Sequence, residues 1–178
     1  CLDDLYNAEK RINWIKSNIW PGQIVQVIDQ IRWTQGTESA LLEAKLPEHL
    51  KQLDSELADV VDLVRTKIPS LLSRTLSCVI VISVHDRDIV EELIKDKIEK
   101  ITDFEWKAQM RYYFHEDKRD DDDDRKKKRK EVCPITVSMI TTTLNYGFEY
   151  LGNITRLVIT PLTDRCFRTL FGAYNVQY

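Results

Sequence analysis

Apolar residues along the first half of the chain recur at helical rather than strand spacing. Leu2, Leu5, Ile12, Ile15 and Ile19 fall on one face before Trp20-Pro21-Gly22 interrupts them. Pro21 suits the first turn of a second helix, whose stripe is Ile24, Val27, Ile28 and Ile31. Trp33 lies near its end, and Gly36 is the expected stop. Leu46, Leu50, Leu53, Leu57, Val60 and Val64 then recur at steps of 4, 3, 4, 3 and 4, a heptad seam with Pro47 in its first turn. The seam is short for a free coiled coil. It predicts a long helix packed on a neighbour in the same domain, ahead of a dimerising zipper.

Pro69 restarts the chain, and 71–94 runs on without Gly or Pro. Its middle, CVIVISV, has strand propensity. The flanking spacing of Leu72, Leu76, Val79, Val90, Leu93 and Ile94 predicts helix instead. Thr102-Asp103-Phe104-Glu105 has the form of a capping box, so another helix is expected there, with the stripe Trp106, Met110 and Tyr113. Residues 116–131 hold equal numbers of acids and bases and read as a disordered insertion. After it, Val132, Ile135, Val137, Met139 and Ile140 alternate loosely with Ser and Thr behind Pro134, which predicts a strand at a sheet edge. From Tyr146 onward come aromatics punctuated by Gly147 and Gly152, then the apolar run Leu157-Val158-Ile159. A helix follows, opened by Pro161, capped by Thr163 and favoured by Asp164; Cys166, Phe167, Leu170 and Phe171 share one face. The expected fold class is mainly α. A bundle-like region over 1–115 is followed by the charged insertion at 116–131 and by the beginning of an α/β module at 132–178, without internal repeats.

Composition adds exclusions. The net charge of −3 provides no basic field for nucleic acid. The basic run Arg125–Lys130 would be a nuclear-localisation or anionic-lipid patch, but the adjoining aspartates screen it. The longest apolar run, Cys78–Ile82, is far too short for a membrane span. Cys1, Cys78, Cys133 and Cys166 lack zinc or redox spacing; Cys78 and Cys166 read as buried thiols of a cytosolic chain. No charged-then-apolar leader opens the chain, so Asn153-Ile154-Thr155 is not expected to be glycosylated.

Catalytic constellations are missing from the sequence. His85 and Asp86 are neighbours that a helix points apart, and Asp86, Arg87 and Asp88 are expected to form a surface charge cluster. Neither G-x-x-x-x-G-K-[ST] nor G-x-G-x-x-G occurs, and the five glycines form no phosphate nest. These 178 residues should catalyse nothing unaided.

RLVITPLTDRCFRTLFGA, from Arg156 to Ala173, resembles the start of the first AAA+ module of dynein heavy chains. Upstream blocks agree in order and spacing. They are WPGQIVQVIDQIRWT at Trp20–Thr34, VRTKIPSLLSRTLSCVIVISVHDRDIVEEL at Val64–Leu93, DFEWKAQMRYYF at Asp103–Phe114 and YGFEYLGN at Tyr146–Asn153. The form I-T-P-L-T-D-R-C-F-R-T-L, with Arg168 and Gly172, looks more like axonemal than cytoplasmic members. The block at 116–131 departs from the family pattern, and the phosphate loop that follows this helix in the family is not among these residues.

The resemblance implies a piece of an ATP-driven, minus-end-directed microtubule motor. Residues 1–115 would be the last helices of the lever-like linker, and 132–178 the threshold of the hydrolytic AAA+ module. The intact parent would bind ATP and Mg²⁺, while this segment alone would bind neither. By resemblance, Leu157, Val158, Ile159, Pro161 and Leu162 line the adenine pocket; read from the residues alone, 157–159 is equally a short core strand. Implied partners are the rest of the motor ring, intermediate and light chains, and microtubules. Nucleic acid and membrane are not implied. The implied location is the cytoplasm and cytoskeleton, in the axoneme of a cilium or flagellum. The competing reading from the residues is a stand-alone, non-catalytic helical module that binds a partner through its seam.

Overall fold

The computed structural model describes residues 11–17, 20–115, 134–149 and 160–176. A short helix, α1 (Arg11–Lys16), precedes three long ones: α2 (Gly22–Leu42), α3 (Leu46–Val64) and α4 (Ser70–Lys95). Pro21 and Pro69 stand at the N-caps of α2 and α4, and Pro47 lies in the first turn of α3. Each sits where a missing N–H leaves no helical hydrogen bond unmade. The β-branched CVIVISV stretch lies wholly inside α4, as its flanking periodicity predicts.

Two of the long helices end the same way. Ala44 and Lys97 adopt left-handed φ of 56° just past α2 and α4. Lys45 N–H then reaches Ala40 O at 2.8 Å, and Ile98 N–H reaches Leu93 O at 3.0 Å. This pattern satisfies carbonyls that a helix end otherwise leaves bare. It reverses the chain within two residues, so α3 packs back along α2.

Gly36 does not end α2, which continues to Leu42. A Cβ added at Gly36 would lie 3.0 Å from Cε1 of His49 on α3. The glycine therefore permits close helix approach rather than a stop. His49 ends there with its Nε2 3.1 Å from Thr37 Oγ1.

The core has two apolar clusters. Ile12, Ile15, Val25, Ile28, Ile31, Val60, Leu72, Leu76, Val79 and Ile135 belong to the first; Trp33, Leu41, Leu46, Leu53, Val90, Leu93 and Trp106 belong to the second. Their membership shows that α2 and α4 run in the same direction and α3 runs against both. The seam points inward as expected through Leu46, Leu53 and Val60, joined by Leu63, while Leu50, Leu57 and Val64 are half-buried. It is used within the chain, mainly against α4.

The helix expected after Thr102 is a single turn, α5 (Phe104–Lys107), with Asp103 rather than Thr102 at its N-cap. Trp106 is fully buried, its ring 5.4 Å from that of Trp33. Met110 and Tyr113 do not continue a helical stripe, because Arg111–Phe114 is a strand, β1. It pairs antiparallel with β2 (Ile135–Met139), Arg111 opposite Ser138 and Phe114 opposite Ile135. β2 pairs in turn with β3 (Thr142–Asn145). The strand expected at an edge is therefore the central one, with Ile135, Val137 and Met139 inward. Ile140 leaves the strand into a left-handed turn, where its N–H meets Lys107 O at 2.6 Å. The last helix, α6 (Pro161–Val176), lies against β3. Among the described residues no helix is long and apolar enough to cross a membrane.

Candidate functional site

The sheet is docked on α2 by side chains spaced along that helix. Thr34, fully buried, donates to Gln30 O at 2.9 Å and accepts the Tyr112 N–H of β1 at 3.1 Å. One turn on, Glu38 Oε1 accepts from Trp106 Nε1 at 3.3 Å and from the Tyr113 hydroxyl at 2.7 Å. Burial first, then the bond to Glu38, pushes the Tyr113 phenol up to about 12.

At the other end of α2, Gln23 Nε2 donates to the Tyr146 hydroxyl at 2.9 Å and to Glu149 O at 2.6 Å. Tyr146 is held from three further sides. Its N–H bonds Ile135 O at 2.9 Å. Its ring lies 6.5 Å from that of Tyr112 and 5.0 Å, edge to face, from that of Phe148. Such aromatic pairs add to plain area burial. Phe148 takes a left-handed φ of 52°. The sequence marked 146–153 as aromatic and glycine-rich but gave no sign that Gln23 would clamp it.

The nucleotide-pocket residues expected by resemblance fall unevenly. Leu157, Val158 and Ile159 lie outside the described residues. Pro161 opens α6, and Leu162 is 71% exposed. The expected cap shifts by one turn. Thr160 precedes the helix, its N–H donates to Thr163 Oγ1 at 2.7 Å, and the Thr163 N–H donates back to Thr160 Oγ1 at 3.4 Å. Thr163 therefore stands inside the helix as the far partner of a reciprocal cap. Asp164 pairs with Arg168 one turn on. Phe167, Leu170 and Tyr174 are 40%, 64% and 52% exposed. Cys166, expected to be buried, is exposed because its helix face is uncovered, whereas Cys78 is buried as expected.

Asp86 departs from expectation too. Arg87 and Asp88 do form the surface pair, with Asp54 3.9 Å from Arg87. Asp86, one residue earlier, faces inward and is buried, its Oδ2 accepting from Gln30 Nε2 at 2.8 Å. Beside it lies a buried ionic cluster that sequence periodicity did not reveal. Arg11 Nε donates to Asp29 Oδ1 at 2.6 Å, and its Nη2 binds Asp29 Oδ2 and, at 2.8 Å, Ser83 Oγ. Arg32 forks onto Glu56, which lies 3.7 Å from Arg11. Burial depresses the imidazole of His85, against the opposing fields of Asp164 and Asp88. No group of three or more His, Cys, Asp or Glu among the described residues could hold a metal ion.

Comparison with known proteins gives these features a family. Residues 146–178, which start at the residue clamped by Gln23, match the family model described as the hydrolytic ATP binding site of the dynein motor region. Dynein axonemal heavy chain 3 of Homo sapiens is 42% identical over 174 residues, and that of Mus musculus 45%; each alignment covers 98% of this chain and 4% of the relative. Dynein axonemal heavy chain 12 of Homo sapiens is 38% identical over 174 residues, covering 97% of this chain and 5% of the relative. The chain thus spans about a twentieth of the length of the curated relatives it matches. On these similarities, carried through helices, sheet and the ATP-site segment alike, the chain belongs to the dynein heavy-chain family, in its axonemal branch.

Proposed function

We infer that this segment joins the lever-like linker of an axonemal dynein heavy chain to the first nucleotide module of its ring. In this reading residues 1–115 are the C-terminal helices of the linker, 116–131 a charged insertion, and 132–178 the start of the AAA+ module. The parent is an ATP-driven, minus-end-directed microtubule motor of the ciliary or flagellar axoneme, working with intermediate and light chains. The segment's task is to pass ring movements into a stiff helical base.

The observation that carries this reading is the clamp of Gln23 on Tyr146 and Glu149. It ties the first residues of the ATP-site match to the N-terminal end of α2. A displacement of 146–149 must either move α2 or break two hydrogen bonds and an aromatic stack.

The residues present fit the base of ATP and not its phosphates. Leu162 is an exposed apolar side chain at the start of α6, of a kind that can meet a flat ring, and by the family resemblance Leu157, Val158, Ile159 and Pro161 belong to the same adenine wall. The sequence holds no phosphate loop to cradle the triphosphate and its Mg²⁺. ATP bound by the parent would supply the energy for movement; this chain contributes adenine contacts and transmission. In the full motor, Gln23→Ala combined with Tyr146→Phe should slow microtubule gliding while ATP turnover persists. Unchanged gliding at unchanged turnover would remove the coupling role.

A further inference from the structure

Among the described residues, the buried cluster at the meeting of the four helices does not balance in charge. Arg11 and Arg32 face three carboxyls: Asp29, Glu56 and Asp86. Asp29 is held by both Arg11 and Arg32, and Glu56 is forked by Arg32, with Arg11 at 3.7 Å. Among the described residues, Asp86 has the neutral Gln30 amide and no guanidinium within ion-pair distance. It is 4% exposed. An ionised carboxylate without a counter-charge at such a site is far costlier than a neutral carboxylic acid.

We propose that the bundle folds around a protonated Asp86, and that this proton makes the attachment of α1 to the other helices sensitive to pH. Besides the apolar contacts of Ile12 and Ile15, Arg11 is the polar means of attachment, because one guanidinium reaches Asp29 on α2, Glu56 on α3 and Ser83 on α4. Loss of the Asp86 proton places a third carboxylate beside Asp29. It repels that group and competes for both arginines. The charged groups facing Asp86 are Arg11 from α1 and Asp29 and Arg32 from α2; Glu56 of α3 acts through the two arginines. Burial, then the field of Asp29, holds the Asp86 carboxyl well above its ordinary range, and the arginines only partly oppose this. A raised carboxyl contributes stability that is complete below its unfolded value and is lost as pH rises through its folded value. His49 and His85, both depressed by burial, act in the opposite direction, so the test must be a difference between variants.

Urea midpoints of the 178-residue chain and of Asp86→Asn, taken from about pH 4, near the ordinary aspartate value, to mildly alkaline pH, provide that difference. The variant should gain on the wild type progressively as pH rises, and amide protection over residues 11–16 should fall with pH in the wild type only. A pH-independent difference between the two overturns the proposal. Should Asp86→Asn fail to fold, carboxyl carbon NMR of aspartate-labelled wild type decides alone. One buried aspartate titrating far above the rest supports the proposal, and every aspartate titrating near its ordinary value overturns it.

Discussion

Thr34 and Tyr112, 78 residues apart, share a single hydrogen bond that fixes the sheet to the helical base: the Tyr112 N–H of β1 is accepted by Thr34 Oγ1 at 3.1 Å. The hydroxyl can do this because its own proton goes to Gln30 O within α2. Replacing Thr34 by the isosteric Val would keep the packing and strand the Tyr112 N–H. The expected cost is about 1–3 kcal/mol. It should appear as a lower urea midpoint with an unchanged slope.

Arg11 offers a sharper contrast. Arg11→Met leaves Asp29 buried without its main partner, for an expected loss of about 3–5 kcal/mol. Adding Asp29→Leu removes the stranded charge, so the double variant should be more stable than Arg11→Met alone. A double-mutant cycle by chemical denaturation measures this. A double variant no better than the single one would show that apolar packing of α1, not the ion pair, sets the cost.

The left-handed helix ends predict a gain. Lys97 holds a φ of 56° that glycine adopts freely and a side chain resists. Lys97→Gly should raise stability by up to about 1 kcal/mol, offset in part by the greater freedom of glycine in the unfolded chain. Ala44→Gly should behave alike, since its turn closes with the same pair of backbone bonds. Thermal unfolding of both variants checks the direction.

At Gly36 two effects oppose each other. Alanine is the better helix former by about 1 kcal/mol. Its Cβ would press on the His49 ring and disturb the bond to Thr37. Burial, and secondarily the field of Arg32, depresses His49, so its share of stability is present above the ordinary histidine range and is lost as pH falls. Gly36→Ala should push the ring outward and return its titration toward the ordinary value. Proton NMR of the histidine ring would follow it; an unmoved titration would mean that α3 yields instead.

Legibility in the sequence followed the range of the interaction. α4 was legible despite its β-branched centre, because Leu72, Leu76, Val90 and Leu93 repeat at helical spacing on both sides. The stripe Trp106, Met110, Tyr113 fits a helix equally well on paper, yet Tyr113 pairs with Thr136 beyond the charged run at 116–131. Gly36 looked like a stop because its contact, His49, belongs to the following helix. At the candidate junction, the aromatic cluster at 146–153 was legible and its anchor Gln23 was not: a glutamine in a helix is ordinary until something 123 residues away meets it.

Taken by itself, the sequence determined where the three long helices form and which face of each meets the core, since those signals repeat within a few residues. It also carried the family, through several motifs in order. Tertiary structure alone decided that Arg111–Phe114 is a strand, that Thr34 and Gln23 hold the sheet and the ATP-site segment, and that Asp86 faces inward while Asp88 does not. The physical reason is that a polar group's fate depends on the partner that satisfies it. In this chain those partners, such as Ser83 for Arg11, lie as far as 72 residues and more along the sequence.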